Sequence, residues 1–459
     1  MGWIAGDVAQ SSVLDGDEQC TRGRTIMRTH GTHRDKGIMA QMLERLHRLH
    51  PFQTPEARRL ALLFAIVYFA QGMYDLPTQT LTLVLKERFG MTAAQAATFF
   101  LITTIPWYVK PAYGLISDFV PLFGRRRKSY LVLTSGLAAL SGGMLAFVAD
   151  HTYSALVLFV TLMGLGLAFT DVLVDALMVE SGRPLGLTGA FQSVQWGAIY
   201  AASILVGLIG GQLAASRNLH ATFALASCFP VVSFVMALFA IHEPPVRSDR
   251  EAARATWRSV REAVRERDVW VVAGFILFWT FSPSFGPAFL YYQTDVLKFS
   301  QEFIGLLLSL SSIGAIAGAF VYAPLSRRVP LRVLIVWSIG IAVTTTLCYL
   351  LYRDWIAALI IDTTFGAVGM ITQLAFLDLA AKACPRRAEG TFFALLMSIY
   401  NLGVKGSQIT GGYLYDGLGF TPLVLISAAF TALAFVLVPL VNIDRIDARA
   451  RATAEATAG

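Results

Sequence analysis

Long apolar stretches alternate with short polar connections along this chain, from Leu60 to about residue 442. Because a helix rises 1.5 Å per residue, about 20 apolar residues are needed to cross the hydrocarbon core of a bilayer. Twelve stretches reach that length, so the pattern predicts twelve membrane-spanning helices. These predicted spans, numbered 1 to 12, are 60–85, 93–117, 129–149, 154–179, 189–215, 219–241, 270–296, 303–325, 331–352, 355–379, 390–413 and 419–442.

One long polar segment between spans 6 and 7 divides the chain into two sets of six helices. It is rich in arginine and opens with the helix-stopping pair Pro244-Pro245. The predicted fold class is therefore an all-α integral membrane protein built from two six-helix bundles. The predicted domains are a largely disordered cytoplasmic tail over residues 1–58, a first bundle over 59–241, a cytoplasmic central loop over 242–269, a second bundle over 270–442 and a cytoplasmic tail over 443–459.

The composition also indicates a membrane protein, because 55% of the residues are hydrophobic and only 15% are charged. That leaves too few polar residues to coat a soluble globule of this length. The net charge of +7 comes from cations clustered between apolar stretches, which is typical of cytoplasmic anchoring rather than of nucleic-acid binding. The four cysteines have no metal-ligand spacing, so neither a zinc site nor a disulfide framework is predicted.

Positive charges set the predicted orientation, since Lys and Arg near helix ends stay on the cytoplasmic side. The loops after the even-numbered spans 2 to 10 carry 18 Lys and Arg residues, whereas the loops after the odd-numbered spans carry five. We therefore expect a multi-pass protein of the cytoplasmic (inner) membrane with both termini in the cytoplasm.

The two halves of the chain repeat each other. GRRRKSYLVL after span 2 recurs as LSRRVPLRVL after span 8, with Arg125 and Arg328 separated by 203 positions. TGAFQSV after span 4 recurs as EGTFFAL after span 10, with Gly189 and Gly390 separated by 201 positions. Chance similarity between arginine-rich exits explains the first pair but not both spacings. Duplicated halves predict an alternating-access transporter, in which two bundles rock about a site between them.

Ionisable residues inside the spans are the most informative signal, because each costs a few kcal/mol in the bilayer unless it faces a cavity or a partner. The candidates for a substrate or proton site are Asp75, Lys110, Asp171, Asp175 and Lys405. Asp171 and Asp175 lie one turn apart on one helix face, and a structural clamp between either of them and Lys110 is the alternative. Asp75 and Lys405 come from opposite halves at similar depth, where a central site is expected; an internal salt bridge or a tilted helix end is the alternative there.

Prolines predict broken helices at equivalent positions of the two halves, at Pro77 in span 1 and at Pro283 and Pro287 in span 7. Aromatic residues surround the second break. Most are expected to pack or to form an interfacial belt, but a few are candidates for stacking on a flat ring. The stacking candidates are Trp279, Phe285 and Tyr291.

Several function classes are not supported. No glycine-rich loop opens a helix with Lys-Ser or Lys-Thr, so nucleotide hydrolysis has no predicted site. No His cluster, Ser-His-Asp set or metal spacing supports a membrane enzyme. We therefore predict no enzyme, no cofactor and no metal, and any pumping must draw on an ion gradient.

The stretch PWYVKPAYGLISDFVPLFGRRRKSY, residues 106–130, carries a family resemblance. Its motif residues are Gly114, Asp118, Gly124, Arg125, Arg126 and Arg127. This set is similar to the helix 2–3 motif of the major facilitator superfamily, but the second glycine follows the aspartate by six residues rather than three. The longer form resembles the folate–biopterin transporter family. DVLVDALMVE at 171–180 and CPRRAEGTFFALLMSIYN at 384–401 point to the same family.

The resemblance implies a monomer in the lipid bilayer that takes up folates, biopterin or a similar small molecule, coupled to a cation that we expect to be a proton. It also implies that the glycines, Asp118 and the three arginines of the motif form a conformational latch at the cytoplasmic face. Two alternatives stay open. One is a major facilitator-like transporter of a sugar, a peptide or a muropeptide, and the other is a non-transporting assembly or lipid-handling membrane protein.

Overall fold

The computed structural model describes residues 52–241, 243, 264–384 and 389–449. The chain divides into a unit of Met1–Gln53 and a larger unit of Thr54–Gly459, and the described helices belong to the larger one. Nearly all of the predicted N-terminal tail, most of the central loop and the end of the C-terminal tail lie outside the described residues. Below, the first half means residues 54–243 and the second half means residues 264–449.

The regular secondary structure of the described residues is helical, which confirms the predicted all-α class. In chain order the helices are α1 (Pro55–Gly72), α2 (Thr78–Glu87), α3 (Ala93–Thr103), α4 (Ile105–Tyr108), α5 (Lys110–Phe119), α6 (Lys128–Phe147), α7 (Tyr153–Leu185), α8 (Thr188–Ser216), α9 (Leu219–Phe239), α10 (Arg267–Thr280), α11 (Gly286–Tyr291), α12 (Gln301–Arg328), α13 (Leu331–Cys348), α14 (Trp355–Ala383), α15 (Glu389–Leu418) and α16 (Phe420–Leu437).

Nine segments of the described chain are long and apolar enough to cross a membrane, and they coincide with nine predicted spans. The predicted spans 93–117, 270–296 and 390–413 are not among them. The first two are interrupted in the structure, and the third lies within the continuous α15, whose apolar character is lowered by Lys405, Asp416 and several glycines. The multi-pass helical architecture is confirmed, whereas the total of twelve crossings stays a prediction.

Both predicted helix breaks are present. α1 gives way to a 3-10 turn over Met73–Asp75, and α2 begins directly after Pro77. In the second half, residues 281–285 are non-helical between α10 and α11, whose first turn contains Pro287. Proline lacks the amide hydrogen that a continuing helix needs, so these breaks follow from the sequence. The interruption of span 2 around Pro106, between α3 and α5, was not predicted.

The halves meet where helix backbones approach closely. At the crossing of α8 with α12, a Cβ atom added to Gly305 would lie 2.1 Å from the Gly207 carbonyl oxygen, and one added to Gly211 would lie 2.9 Å from a backbone oxygen of α12. We call these three residues the glycine seam. Between α3 and α15, a Cβ atom added to Gly412 would lie 2.6 Å from the Cα atom of Ala94. Small residues permit this packing, which holds helices together in lipid.

Candidate functional site

A buried polar network lies among the helices of the first half. Lys110, the first residue of α5, forms an ion pair with Asp171 of α7, whose side chain is only 5% exposed. The Lys110 ammonium also lies 4.6 Å from the centroid of the Trp107 ring. Gln71 of α1 donates a hydrogen bond of 2.7 Å to the same carboxylate. A buried charge requires such partners, and the predicted pairing of Lys110 with an aspartate of α7 is present.

Asp175, one turn further along α7, is held by neutral partners instead. Its carboxylate accepts a hydrogen bond from the Tyr68 hydroxyl of α1 and another, of 3.0 Å, from the Gln195 amide of α8. Lys110 lies within electrostatic range of Asp175 but is directly paired with Asp171. α7 therefore carries two neighbouring carboxylates, of which one is paired with a cation and the other is not.

Asp75 and Lys405 approach each other from the two halves. Asp75 ends the 3-10 turn after α1, and Lys405 lies in the middle of α15. The two charges interact electrostatically, although no direct ion pair joins them among the described contacts. The Asp75 side chain is exposed while Met73 and Leu76 beside it are buried, and the Lys405 ammonium lies 5.9 Å from the centroid of the Phe100 ring in α3. The structure thus brings these two predicted site residues together at the interface between the halves.

The three stacking candidates have different surroundings. Trp279, near the end of α10, stacks on Phe376 with ring centroids 4.4 Å apart and lines a cavity in the second half. Phe285 packs within a cluster of other aromatic rings. Tyr291 is buried, and its hydroxyl donates a hydrogen bond of 3.0 Å to the Met91 carbonyl of the first half. Of the three, Trp279 is the one that borders this cavity.

The predicted latch is organised by Arg127, in the turn between α5 and α6. Its guanidinium donates hydrogen bonds to the Ser117 hydroxyl (2.8 Å) and to the carboxylates of Asp118 (2.5 Å) and Glu180 (2.6 Å). Burial disfavours the charged form, but the hydrogen bond to Glu180 and the attraction of Asp118 outweigh it and raise the pKa of Arg127 above its ordinary value. The guanidinium therefore stays charged and ties the end of α5 to α7.

The longer spacing of this motif has a structural explanation. Phe123 and Gly124 have positive φ angles of 52° and 72°. They form the tip of a tight turn that is closed by two backbone hydrogen bonds between Leu122 and Arg125, of 3.0 and 3.1 Å. Glycine adopts positive φ without strain, so Gly124 serves the turn. Gly114 faces α7, where an added Cβ atom would lie 3.7 Å from a valine side chain, an ordinary contact distance.

The residues that hold the charged groups in place were not among the predicted site residues. Glu243 accepts hydrogen bonds from the backbone N–H groups of Arg126 (2.9 Å), Arg127 (2.9 Å) and Lys128 (2.8 Å) at the start of α6. A carboxylate is favoured there because a helix N-terminus carries partial positive charge. The neutral residues that were missed are Tyr68, Gln71 and Gln195. Uncharged polar residues are common in membrane helices, so their type alone gave no signal.

Polar contacts join the two halves at the end of the molecule opposite Arg127, which we call the Lys86 end. Lys86 of α2 forms an ion pair with Asp295 of the second half. The Asp416 carboxylate of α15 accepts hydrogen bonds from the backbone N–H groups of Ala93 (3.1 Å) and Ala94 (3.0 Å), the first residues of α3. The structure therefore has the halves closed against each other at the Lys86 end.

Known proteins with similar sequences are transporters by name. The profile of the BT1 family matches residues 71–456. A folate-biopterin transporter of Synechocystis sp. (strain ATCC 27184 / PCC 6803 / Kazusa) is 34% identical over 373 residues, which cover 77% of this chain and 74% of that protein. A protein of Arabidopsis thaliana named probable folate-biopterin transporter 4 is 25% identical, with coverage of 78% and 89%. Relatives named as transporters confirm the predicted resemblance and the prediction that the chain is not an enzyme.

The solved structure of a D-xylose-proton symporter has a fold similar to that of this chain. It superposes with a TM-score of 0.64 at 14% sequence identity and covers 83% of this chain and 95% of its own. At this identity the similarity shows the fold alone, which is the major facilitator type. Together with the apolar helices and the named relatives, it identifies a multi-pass membrane solute transporter.

Proposed function

Because this chain belongs to the BT1 family, we propose that its cargo is a folate or a pterin and that a proton gradient drives the transport. The support for the cargo is that matched relatives are named folate-biopterin transporters. We also propose a monomer in the cytoplasmic membrane with both termini in the cytoplasm. The basic loops that support this orientation include Arg125 to Lys128, so the Arg127 end faces the cytoplasm and the Lys86 end faces outward.

The observation that carries the proposal is the pair of opposite charges at the interface between the halves. Lys405 and Asp75 attract each other without direct contact, which leaves both groups able to bind a ligand. Folate ends in a glutamate with carboxylates, and its ring has an amino edge. A charge-assisted hydrogen bond from Lys405 to a carboxylate matches the glutamate, and Asp75 can accept a hydrogen bond from an N–H group of the cargo.

We assign the coupling proton to Asp175. Its partners, Tyr68 and Gln195, are neutral, while Lys110 is engaged by Asp171. A carboxyl group held in this way exchanges a proton without breaking a direct ion pair. Its partners come from α1 and α8, so a change of charge at Asp175 acts on helices that border the interface between the halves.

The test is uptake of radiolabelled folic acid into proteoliposomes, with and without an imposed proton gradient. We expect saturable uptake that the gradient stimulates. Replacing Lys405 with Gln removes a charge-assisted hydrogen bond, worth roughly 1.5–3 kcal/mol, and is expected to lower uptake by about tenfold or more. Asp175→Asn is expected to abolish the stimulation by the gradient while leaving exchange of internal for external folate.

Asp444→Asn is a matched control, because Asp444 pairs with Arg332 at the surface and its side chain is 67% exposed. This variant is expected to transport like the wild type. Unchanged uptake in both Lys405→Gln and Asp175→Asn would remove these residues from the mechanism. Stabilisation of the protein by sugars or peptides alone, with no uptake of folate or pterin, would reject the proposed cargo.

A further inference from the structure

The second half contains a cavity of about 360 Å³ between α10, α13, α14 and α15. Its walls are largely aromatic. Trp279 and Phe376 stack on one another with their planes inclined by only 14°, and Tyr349 and Phe365 add a second pair whose centroids lie 5.4 Å apart. Ligand pockets commonly have volumes of roughly 300–1,000 Å³ and predominantly hydrophobic and aromatic linings. The cavity therefore has the size and surface of a binding site for a flat ring.

Within the described part of the chain, several polar side chains that line the cavity have free hydrogen-bonding groups, and Gln373 and Tyr400 are two of them. Among the described residues, neither the Gln373 amide nor the Tyr400 hydroxyl forms a hydrogen bond. An amide offers two donors and one acceptor, and a phenol offers one donor and an acceptor. Both side chains are only partly buried, so these groups face the open space of the cavity. A ligand with both donors and acceptors on its edge would satisfy them.

The lining contains no charged residue. This distinguishes the cavity from the network of Lys110, Asp171 and Asp175 and from the Asp75–Lys405 pair. A charged ligand group would lose its hydration here without gaining an opposite charge. The lining therefore favours an uncharged group with aromatic faces and a polar edge.

The cavity lies beside the interface between the halves. Gly369 lines it, and the next residue, Met370, contacts the Tyr200 hydroxyl of α8 in the first half at 3.7 Å. Tyr400 lines it from α15, the helix that also carries Lys405. The walls of the cavity are thus formed by the helices that would move against the first half during transport.

We propose that this cavity binds the uncharged heteroaromatic ring of the cargo, with the ring against Trp279 and its polar edge toward Gln373 and Tyr400. The inference rests on the proposed function, and it adds that the ring is bound in the second half, in this cavity. The cavity of the second half then selects the ring, the Asp75–Lys405 pair between the halves binds the rest of the cargo, and Asp175 of the first half carries the proton.

Binding is measured on the purified full chain by calorimetry, with pterin, folic acid, adenosine and xylose as separate probes. Pterin is a flat ring without a carboxylate tail, adenosine a flat ring of another class and xylose a non-aromatic control. We expect pterin or another of the flat compounds to bind and xylose not to bind. Trp279→Leu and Gln373→Leu are each expected to weaken that binding by about tenfold, since the first removes stacking and the second removes a hydrogen bond to the amide.

Matched controls make the same replacements outside the cavity. Trp337→Leu changes an exposed tryptophan of α13, and Gln212→Leu changes an exposed glutamine of α8; both are expected to bind as the wild type does. Equal binding by the cavity variants and these controls would overturn the ring site, as would a wild type that binds no flat compound. The wild type could also bind adenosine but not pterin, with adenosine binding lost in the cavity variants. That result would support the ring site and reject the pterin cargo.

Discussion

Arg127 shows at the scale of a single residue how this molecule holds a charge in the loop between α5 and α6. The side chain is buried, yet its partners include two carboxylates and a hydroxyl. The planar guanidinium can address several acceptors at fixed angles, which an ammonium group cannot do. Both carboxylates remain partly exposed, so solvent weakens each pair, and the arrangement depends on geometry as well as on charge.

Arg127→Lys is therefore expected to destabilise the protein although it keeps the charge. One ammonium group cannot reach Ser117, Asp118 and Glu180 together, so at least one buried hydrogen bond is lost, at about 1 kcal/mol or more. The thermal midpoint of the purified protein should fall by several degrees. Arg125→Lys, at an exposed neighbouring position, is the matched control and should leave the midpoint unchanged. Equal midpoints for the two variants would show that geometry at Arg127 is unimportant.

The charged residues of the site could be predicted from the sequence, and their neutral partners could not. Asp171 and Lys110 stand out because a charge in an apolar stretch is rare and costly, and their depths along the helices predicted that they meet. Tyr68 and Gln195 are ordinary residues of membrane helices, and only the three-dimensional packing of α1 and α8 against α7 brings them to Asp175.

At the scale of elements, the N-terminus of α3 receives hydrogen-bond acceptors from both halves of the molecule. Thr92 and Gln95 already form a capping box within α3. Asp416 of the second half accepts bonds from two more N–H groups of the same turn. Because these two N–H groups belong to one half and Asp416 to the other, the bonds also hold the two halves together.

Asp416→Ala is expected to favour opening of the Lys86 end. Loss of a capping carboxylate costs about 1 kcal/mol, so the open population should rise about fivefold. The change can be measured as the distance between two spin labels. They are attached at Ala221→Cys and Leu351→Cys, which are exposed positions near this end on the two halves. Asp354→Ala is the matched control, since Asp354 caps α14 within one half. A distance distribution that responds equally to both substitutions would contradict the assignment.

The positions of the helices followed from the apolar pattern, two of the interruptions followed from prolines, and the interruption of span 2 was missed. Pro77 and Pro287 predicted two breaks correctly because proline removes a backbone donor. The break around Pro106 was missed because the surrounding residues remain apolar, and hydrophobicity measures burial in lipid rather than the path of the backbone. α15 is a complementary case, since it is a continuous helix of 30 residues with a composition too polar for a simple span.

At the scale of the whole molecule, the proposed mechanism requires the halves to part at the Lys86 end. Lys86→Cys combined with Asp295→Cys, in a chain without its native cysteines, places two thiols across this contact. We expect a short thiol-reactive crosslinker to stop uptake and a reducing agent to restore it. The same double variant before crosslinking is the control. Full uptake after complete crosslinking would mean that this end does not open.

The twofold construction stays a prediction from the sequence, whereas the conformation could not be predicted at all. Repeats at Arg125 and Arg328 indicated two related halves, and the relatives and the solved symporter have the corresponding family and fold. Which end is closed depends on an energy difference of a few kcal/mol between conformations. Contacts such as that between Asp416 and α3 join residues more than 300 positions apart. No local sequence pattern predicts such contacts.

The glycine seam has an evolutionary consequence. Gly207, Gly211 and Gly305 bring two backbones into contact, and none of them lines the aromatic cavity. A substitution that enlarges or polarises the cavity leaves the seam intact, whereas a single added methyl group at the seam disturbs the meeting of the halves whatever the cargo. Descendants of this chain can therefore acquire a new cargo by changes in the second half alone and inherit the machinery of movement unaltered.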